Sequence, residues 1–120
     1  MNWTTFVIIA VVVVLFLTLS KARQISAKDA AAYLKKGALV IDVRTPGEFN
    51  SGHLTNAINF PLDEIETALP KQLKDKSQVL LLHCASGMRS GLAQKKLNSL
   101  GYTNAFNLGS YGRAKSLLTP

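Results

Sequence analysis

The chain has a single cysteine, Cys84, placed where a strand gives way to a turn. The preceding run, Val79-Leu80-Leu81-Leu82-His83, is apolar on both faces, as expected of an inner strand in a parallel sheet. After the turn Ala85-Ser86-Gly87-Met88-Arg89, the residues Leu92, Ala93, Leu97 and Leu100 recur at helical spacing. The pattern is a strand, a six-residue turn from Cys84 to Arg89, and a helix. Such a turn can aim several backbone N–H groups at one point beside the positive end of a helix dipole. That field favours a thiolate, the reactive form of cysteine. Arg89 adds a fixed positive charge, so the segment suits a sulfur anion with a second anion held beside it. The plainer alternative is that Cys84 is a small buried hydrophobe. The spacing to Gly87 and Arg89, and the helix that follows, weigh against it. With one cysteine, and with His53 and His83 lacking ligand spacing, neither a metal nor another cofactor is expected. The cysteine count also excludes a disulfide within the chain.

The loop Cys84-x-x-Gly87-x-Arg89-Ser90 resembles the active-site loop of the single-domain rhodaneses, the thiosulfate sulfurtransferase family. A second match lies upstream, from Asp42-Val43-Arg44-Thr45-Pro46-Gly47-Glu48-Phe49 through Asn50-Ser51-Gly52-His53-Leu54, and continues in Ala57-Ile58-Asn59-Phe60-Pro61. The resemblance covers roughly residues 24–120. Two departures stand out. Asn56 occupies a position where the family usually has glycine, and asparagine best replaces glycine in a left-handed conformation. Gly109-Ser110-Tyr111-Gly112 replaces the usual paired glycines, without the customary tryptophan, which leaves the shape of the pocket rim open.

The resemblance implies a rhodanese-like parallel sheet flanked by helices, and a persulfide mechanism on Cys84. Its thiolate would take the outer sulfur of a small anionic donor such as thiosulfate, then yield it to cyanide or a thiol. Ala85, Ser86, Gly87, Met88 and Arg89 would bind the substrate, with Ser86 and Ser90 as further donors, although Ser90 could equally be a helix cap. Asp42, Arg44, Glu48 and His53 read as a salt-bridge and hydrogen-bond frame supporting the loop rather than as catalysts. Cysteine-dependent phosphatases resemble this loop but place Cys and Arg one residue farther apart. Four residues separate Cys84 from Arg89 here, which favours sulfur transfer. Mercaptopyruvate is the closer rival donor, because Ala85-Ser86 carries no charge to choose between donors. The non-catalytic alternatives are a membrane-tethered binding module and a protein-to-protein sulfur relay. Inactive relatives commonly lack the cysteine retained here.

A chain of 120 residues holds one domain at most. Its formal charge of +7 falls almost wholly after residue 22. No aromatic-interleaved basic cluster accompanies that charge, so nucleic acid is not an expected partner. Lys71, Lys74, Lys76, Lys95 and Lys96 read as solvated surface. The first residues are different material: Phe6 to Leu17 is wholly apolar, and Trp3 to Leu19 is uncharged. A membrane helix needs about 20 residues, with a lower limit near 17, so residues 3–19 are expected to form one transmembrane helix. The division is then an anchor with its flank at 1–22 and the rhodanese domain at 23–120. Lys21, Arg23, Lys28, Lys35 and Lys36 follow the span and nothing basic precedes it, which places the domain in the cytoplasm at the inner membrane. A reducing compartment also suits a thiol that must stay free. The alternative is export, with a signal peptide cleaved near Ala22 after Ser20-Lys21-Ala22, although a basic segment before the apolar run is missing.

The remaining elements must position these groups. Ser26 can cap a helix over 27–34 that stops at Gly37. Residues 39–43 read as a strand ending in polar residues, 46–50 as a short helical turn, and 57–60 as a short strand. Residues 62–69 form an acidic helix broken at Pro70, and 104–108 a last strand after the Gly101 stop. Alternating helix and strand predicts a parallel sheet with its ligand at the carboxyl ends of the strands, where Asp42 and Cys84 lie.

Overall fold

The computed structural model describes residues 2–22 and 24–118, apart from the side chains of residues 19–22. Arg23 and the side chains of Ser20-Lys21-Ala22, on which the basic flank and the cleavage site depend, lie outside the described residues. Helix α1 (Trp3–Ala22) forms over the apolar run. It is apolar on every face, and its large side chains from Phe6 to Leu17 are at least 44% exposed. Among the described residues, however, no helix is long and apolar enough to cross a membrane. The transmembrane helix expected from the sequence is therefore not found. The unbroken apolar run from Phe6 to Leu17 makes roughly 18 Å of helix at 1.5 Å per residue, against a hydrocarbon core of about 30 Å.

The rest alternates as expected. Helix α2 (Ala27–Lys35) starts at Ser26, whose hydroxyl accepts from the Asp29 N–H at 3.1 Å. Strand β1 (Leu39–Asp42) follows, then α3 (Pro46–Ser51), β2 (Ile58–Asn59), α4 (Ile65–Gln72), β3 (Leu80–Cys84), α5 (Met88–Ser99), β4 (Ala105–Ser110) and α6 (Tyr111–Leu118). The sheet order is β2-β1-β3-β4, with every pairing parallel. All five residues of β3 are buried, because this strand lies between β1 and β4 with helices over both faces. On one face Ile41, Leu80, Leu82 and Cys84 pack against Ala93 and Leu97 of α5 and Ile65 and Leu69 of α4. On the other, Leu81 and Leu108 pack against Ala30 of α2 and Ala114 of α6.

Three local expectations are corrected. Helix α4 starts three residues late and runs through Pro70 to Gln72. Proline removes one helical hydrogen bond. Burial of Ile65 and Leu69 and the bond from Leu73 N–H to Leu69 O (2.8 Å) carry the helix past that gap. The turn after Cys84 is shorter than expected, since α5 already includes Met88 and Arg89. Helix α6 was not expected at all, although Tyr111, Ala114 and Leu118 have helical spacing and pack on the second face.

Candidate active site

Cys84 ends the central strand, so its sulfur lies at the carboxyl edge of the sheet and under the start of α5. Gly87 caps that helix with φ +95°, a left-handed conformation that costs a residue with a side chain about 1–2 kcal/mol. The conformation turns the Gly87 N–H onto Cys84 Sγ at 3.0 Å, and Ser90 Oγ lies 3.6 Å from the same atom. Cys84 is fully buried, and burial alone pushes its thiol up. Hydrogen bonds from the Ser90 hydroxyl and from the backbone of Ser90, Gly87 and Ser86 outweigh that effect and hold the thiol below its ordinary pKa. The loop is therefore built for a thiolate.

Ala85 and Ser86 are exposed, and Met88 is 70% exposed. Ser86 bridges to Ser110, and the Tyr111 N–H donates to Ala85 O at 3.3 Å, so β4 and α6 back the loop. A side chain at Gly109 (φ +103°) would meet Gln24 Nε2 at 3.1 Å and Arg113 Cδ at 3.2 Å. That crowding leaves little room for a side chain at Gly109 behind the loop. Asn56 has φ +67° and is the one non-glycine residue at positive φ among the described residues, as its glycine-like position predicts.

Arg89 does not extend freely toward the loop mouth. Its guanidinium forms a two-pronged pair with Glu48, Nη1 to Oε1 at 2.7 Å and Nη2 to Oε2 at 3.0 Å. Arg89 foremost, with the Thr45 N–H, lowers the Glu48 carboxyl to about 2. Glu48 also closes a capping box with Thr45 at the start of α3. The pair thus ties α3 to the first turn of α5. A groove of ≈ 330 Å³ runs along it, between Thr45, Leu62 and Lys96.

The expected frame divides between the two faces of the sheet. On the face away from the thiol, Asp42 accepts from the Arg44 backbone N–H (2.9 Å) and its guanidinium (2.7 Å to Nη2). Arg44 also donates to Gly52 O (2.7 Å) and stacks 4.7 Å over Tyr111. His83 lies 3.7 Å from Asp42, fully buried, and neither ring nitrogen has a hydrogen-bond partner among the described residues. Burial lowers its pKa, and Asp42 opposes that only in part. His53 stacks on Phe49 at 3.7 Å and its Nδ1 pairs with Phe49 O, so it braces the end of α3. Of the four frame residues, Glu48 alone reaches the loop, through Arg89. The sequence reading missed Asn107, which is buried beside Ser90 and the loop. Its signal was a polar residue inside the apolar strand Ala105-Phe106-Asn107-Leu108. Among the described residues, no group of His, Cys, Asp and Glu could hold a metal ion.

A thiol stabilised as its anion at the edge of a parallel α/β sheet is the arrangement of an enzyme that works through cysteine. Residues 26–112 match the model of the rhodanese-like domain, and the chain belongs to that family. It is 36% identical over 69 residues to the thiosulfate sulfurtransferase PspE of Escherichia coli, covering 58% of this chain and 66% of that protein. To the thiosulfate:glutathione sulfurtransferase of Saccharomyces cerevisiae it is 37% identical over 79 residues, 55% of each. The human single-domain sulfurtransferase TSTD1 superposes with a TM-score of 0.67 at 28% identity, over 78% of this chain and 96% of that one. The chain spans less than two thirds of the length of these curated relatives. It also matches tRNA uridine(34) hydroxylases at 26–32% identity, so family membership does not by itself fix the reaction.

Proposed function

We propose that this protein is a membrane-tethered sulfurtransferase that carries sulfane sulfur on Cys84, from thiosulfate to cyanide or a thiol. The observation that carries the reading is the Gly87 N–H at 3.0 Å from the Cys84 sulfur, inside a loop that lowers the thiol pKa. In the first step the thiolate attacks the outer sulfur of thiosulfate. A Cys84 S–S bond forms, the donor S–S bond breaks, and its electron pair leaves with sulfite. In the second, cyanide or a thiolate attacks the outer sulfur of the persulfide, leaving thiocyanate or a new persulfide and restoring the Cys84 thiolate. Neither step requires a general base when Cys84 enters ionised. Both pass negative charge through the loop, where the N–H groups of Ser86, Gly87 and Ser90 stabilise it. Glu48 partly neutralises Arg89, so those N–H groups carry more of the donor's charge than the guanidinium does. Asp42, Arg44 and His53 act as structural support. The test is sulfite release and thiocyanate formation from thiosulfate and cyanide. Wild type should turn over and Cys84→Ser should not; a wild type without turnover, or an active Cys84→Ser, would overturn the reading.

The tether is α1, whose apolar side chains face outward all around the helix. The uncharged stretch Trp3–Leu19 makes about 25 Å of helix, and local bilayer thinning can absorb the shortfall. The basic residues after it favour a cytoplasmic domain. Full-length protein should float with phospholipid vesicles, and its domain should be digested by protease in sealed inside-out vesicles. Recovery in the lipid-free fraction would refute the tether, and protection from protease would refute the orientation.

A further inference from the structure

Asn107 has no assigned part in this chemistry, yet its side chain holds two parts of the loop at once. It lies where β4 slips register: Leu82 pairs with Asn107, while His83 pairs with Gly109. Its backbone is fixed from outside the loop, because the Ile25 N–H donates to Asn107 O at 2.9 Å. Its side chain is almost fully buried, and Oδ1 accepts from the Gly109 N–H at 2.9 Å and from Ser90 Oγ at 2.7 Å. Nδ2 donates to Gly87 O at 3.2 Å. The Gly109 N–H, a fixed donor, settles which end of the amide is the oxygen.

The Ser90 hydroxyl has one proton and three acceptors in reach. Asn107 Oδ1 lies at 2.7 Å, Gly87 O at 3.1 Å and Cys84 Sγ at 3.6 Å. The amide oxygen is the nearest, so it holds the hydroxyl while the sulfur is neutral. An anionic sulfur is a stronger acceptor and draws the same proton by rotation about the Ser90 Cβ–Oγ bond. We propose that Asn107 is a positioning residue of the sulfur-transfer reaction, holding the Ser90 oxygen and the Gly87 backbone in place so that the Gly87 N–H, and the Ser90 hydroxyl once the sulfur is anionic, reach the Cys84 sulfur. This rests on the reading of Cys84 as the nucleophile.

Few other charges surround the sulfur. On its own face, α5 contributes Arg89 and α3 contributes Glu48, joined as a pair. On the opposite face are Asp42, Arg44, His83 and Tyr111. Arg113 of α6 donates to Leu108 O and Ile25 O. Among the described residues none of them hydrogen-bonds to the Asn107 side chain, so their contributions should be common to the variants compared.

The test titrates the Cys84 thiolate in the full chain by ultraviolet absorbance and by the pH dependence of iodoacetamide alkylation. Neither readout needs a sulfur donor, so the result stands whether or not thiosulfate is turned over. Ser90→Ala and Asn107→Leu should each raise the titration midpoint by about one pH unit, a tenfold loss of thiolate at a fixed pH below it. The double variant should rise by less than the sum of the single changes, because Asn107 acts in part through Ser90. A packing role alone would lower stability and leave the midpoint in place. No rise in either single variant, or additive rises in the double, would overturn the proposal. If Asn107→Leu does not fold, Asn107→Ala is read by the same criteria.

Discussion

Replacing Gly87 by alanine tests whether the loop backbone, rather than the sulfur alone, makes the thiolate. Gly87 has φ +95°, and a Cβ there would lie 3.3 Å from Gln24 Nε2 and 3.4 Å from the Gly109 backbone. Left-handed strain alone costs about 1–2 kcal/mol, and these contacts leave little space to relax. The chain can escape by moving Gly87 toward negative φ, but its N–H then leaves the sulfur. A hydrogen bond to a charged acceptor contributes roughly 1.5–3 kcal/mol, equivalent to about one to two pH units in the thiol. Gly87→Ala should therefore raise the thiol pKa, with a loss of stability beside it where the strain is not fully relieved. Gly37→Ala is the matched control: φ is +93°, a Cβ meets nothing within 4 Å, and the site is remote from the loop. It should cost about 1–2 kcal/mol of stability with no change at the sulfur. Urea denaturation measures the first quantity and the pH dependence of alkylation the second. If Gly87→Ala behaves like Gly37→Ala in both assays, the N–H to sulfur bond does not set the thiolate.

The Arg89–Glu48 pair predicts a non-additive result. Arg89→Ala leaves the Glu48 charge unopposed near the thiol and should slow thiosulfate turnover at least tenfold, whereas Arg89→Ala with Glu48→Gln should recover part of that loss. Steady-state rates of the two variants decide it, and equal loss in both would assign Arg89 a direct contact with the donor. Glu48, lowered to about 2 in the folded chain, contributes stability above its unfolded value near 4.5, and this is lost as pH falls toward 2. The pair is about one third exposed, so the loss should be small and salt-sensitive. Glu48→Gln should flatten the acid limb of the denaturation midpoint against pH, and an unchanged limb would refute the coupling. His83 also has a lowered pKa, because burial opposes its charge; it too stabilises above its ordinary value near 6.5 and loses that contribution as pH falls below it. His83→Met should keep or raise stability at neutral pH and reduce the loss just below pH 6.5, as read by denaturation midpoints; a large loss at neutral pH would show that the ring makes an essential contact.

Much of this fold is legible because its signals are local. Ser26, Gly37 and Gly101 mark helix ends by capping chemistry, and each end lies within a residue or two of its signal. The continuous apolar run before His83 marks β3 as the central strand, which puts Cys84 at the sheet edge. Side-chain partnerships across the fold were less legible. Nothing local to Arg89 shows that its partner is Glu48, because the pair joins residues 41 apart in sequence. Asp42 and Arg44 belong to the upstream motif, read from the sequence as support for the loop, but strand alternation turns them to the face away from the thiol. His53 is spent on Phe49 for the same reason of local geometry. Asn107 acts only through the register slip in β4, which no local sequence rule gives. Pro70 misled because a helix break was weighed without the buried Ile65 and Leu69 that hold α4 together.

The most direct test of the account is the intact mass of full-length protein after incubation with thiosulfate, before any acceptor is added. A gain of one sulfur atom that is absent in Cys84→Ser and removed by cyanide is the predicted result. No gain in wild type, or a gain that persists in Cys84→Ser, would contradict a persulfide on Cys84.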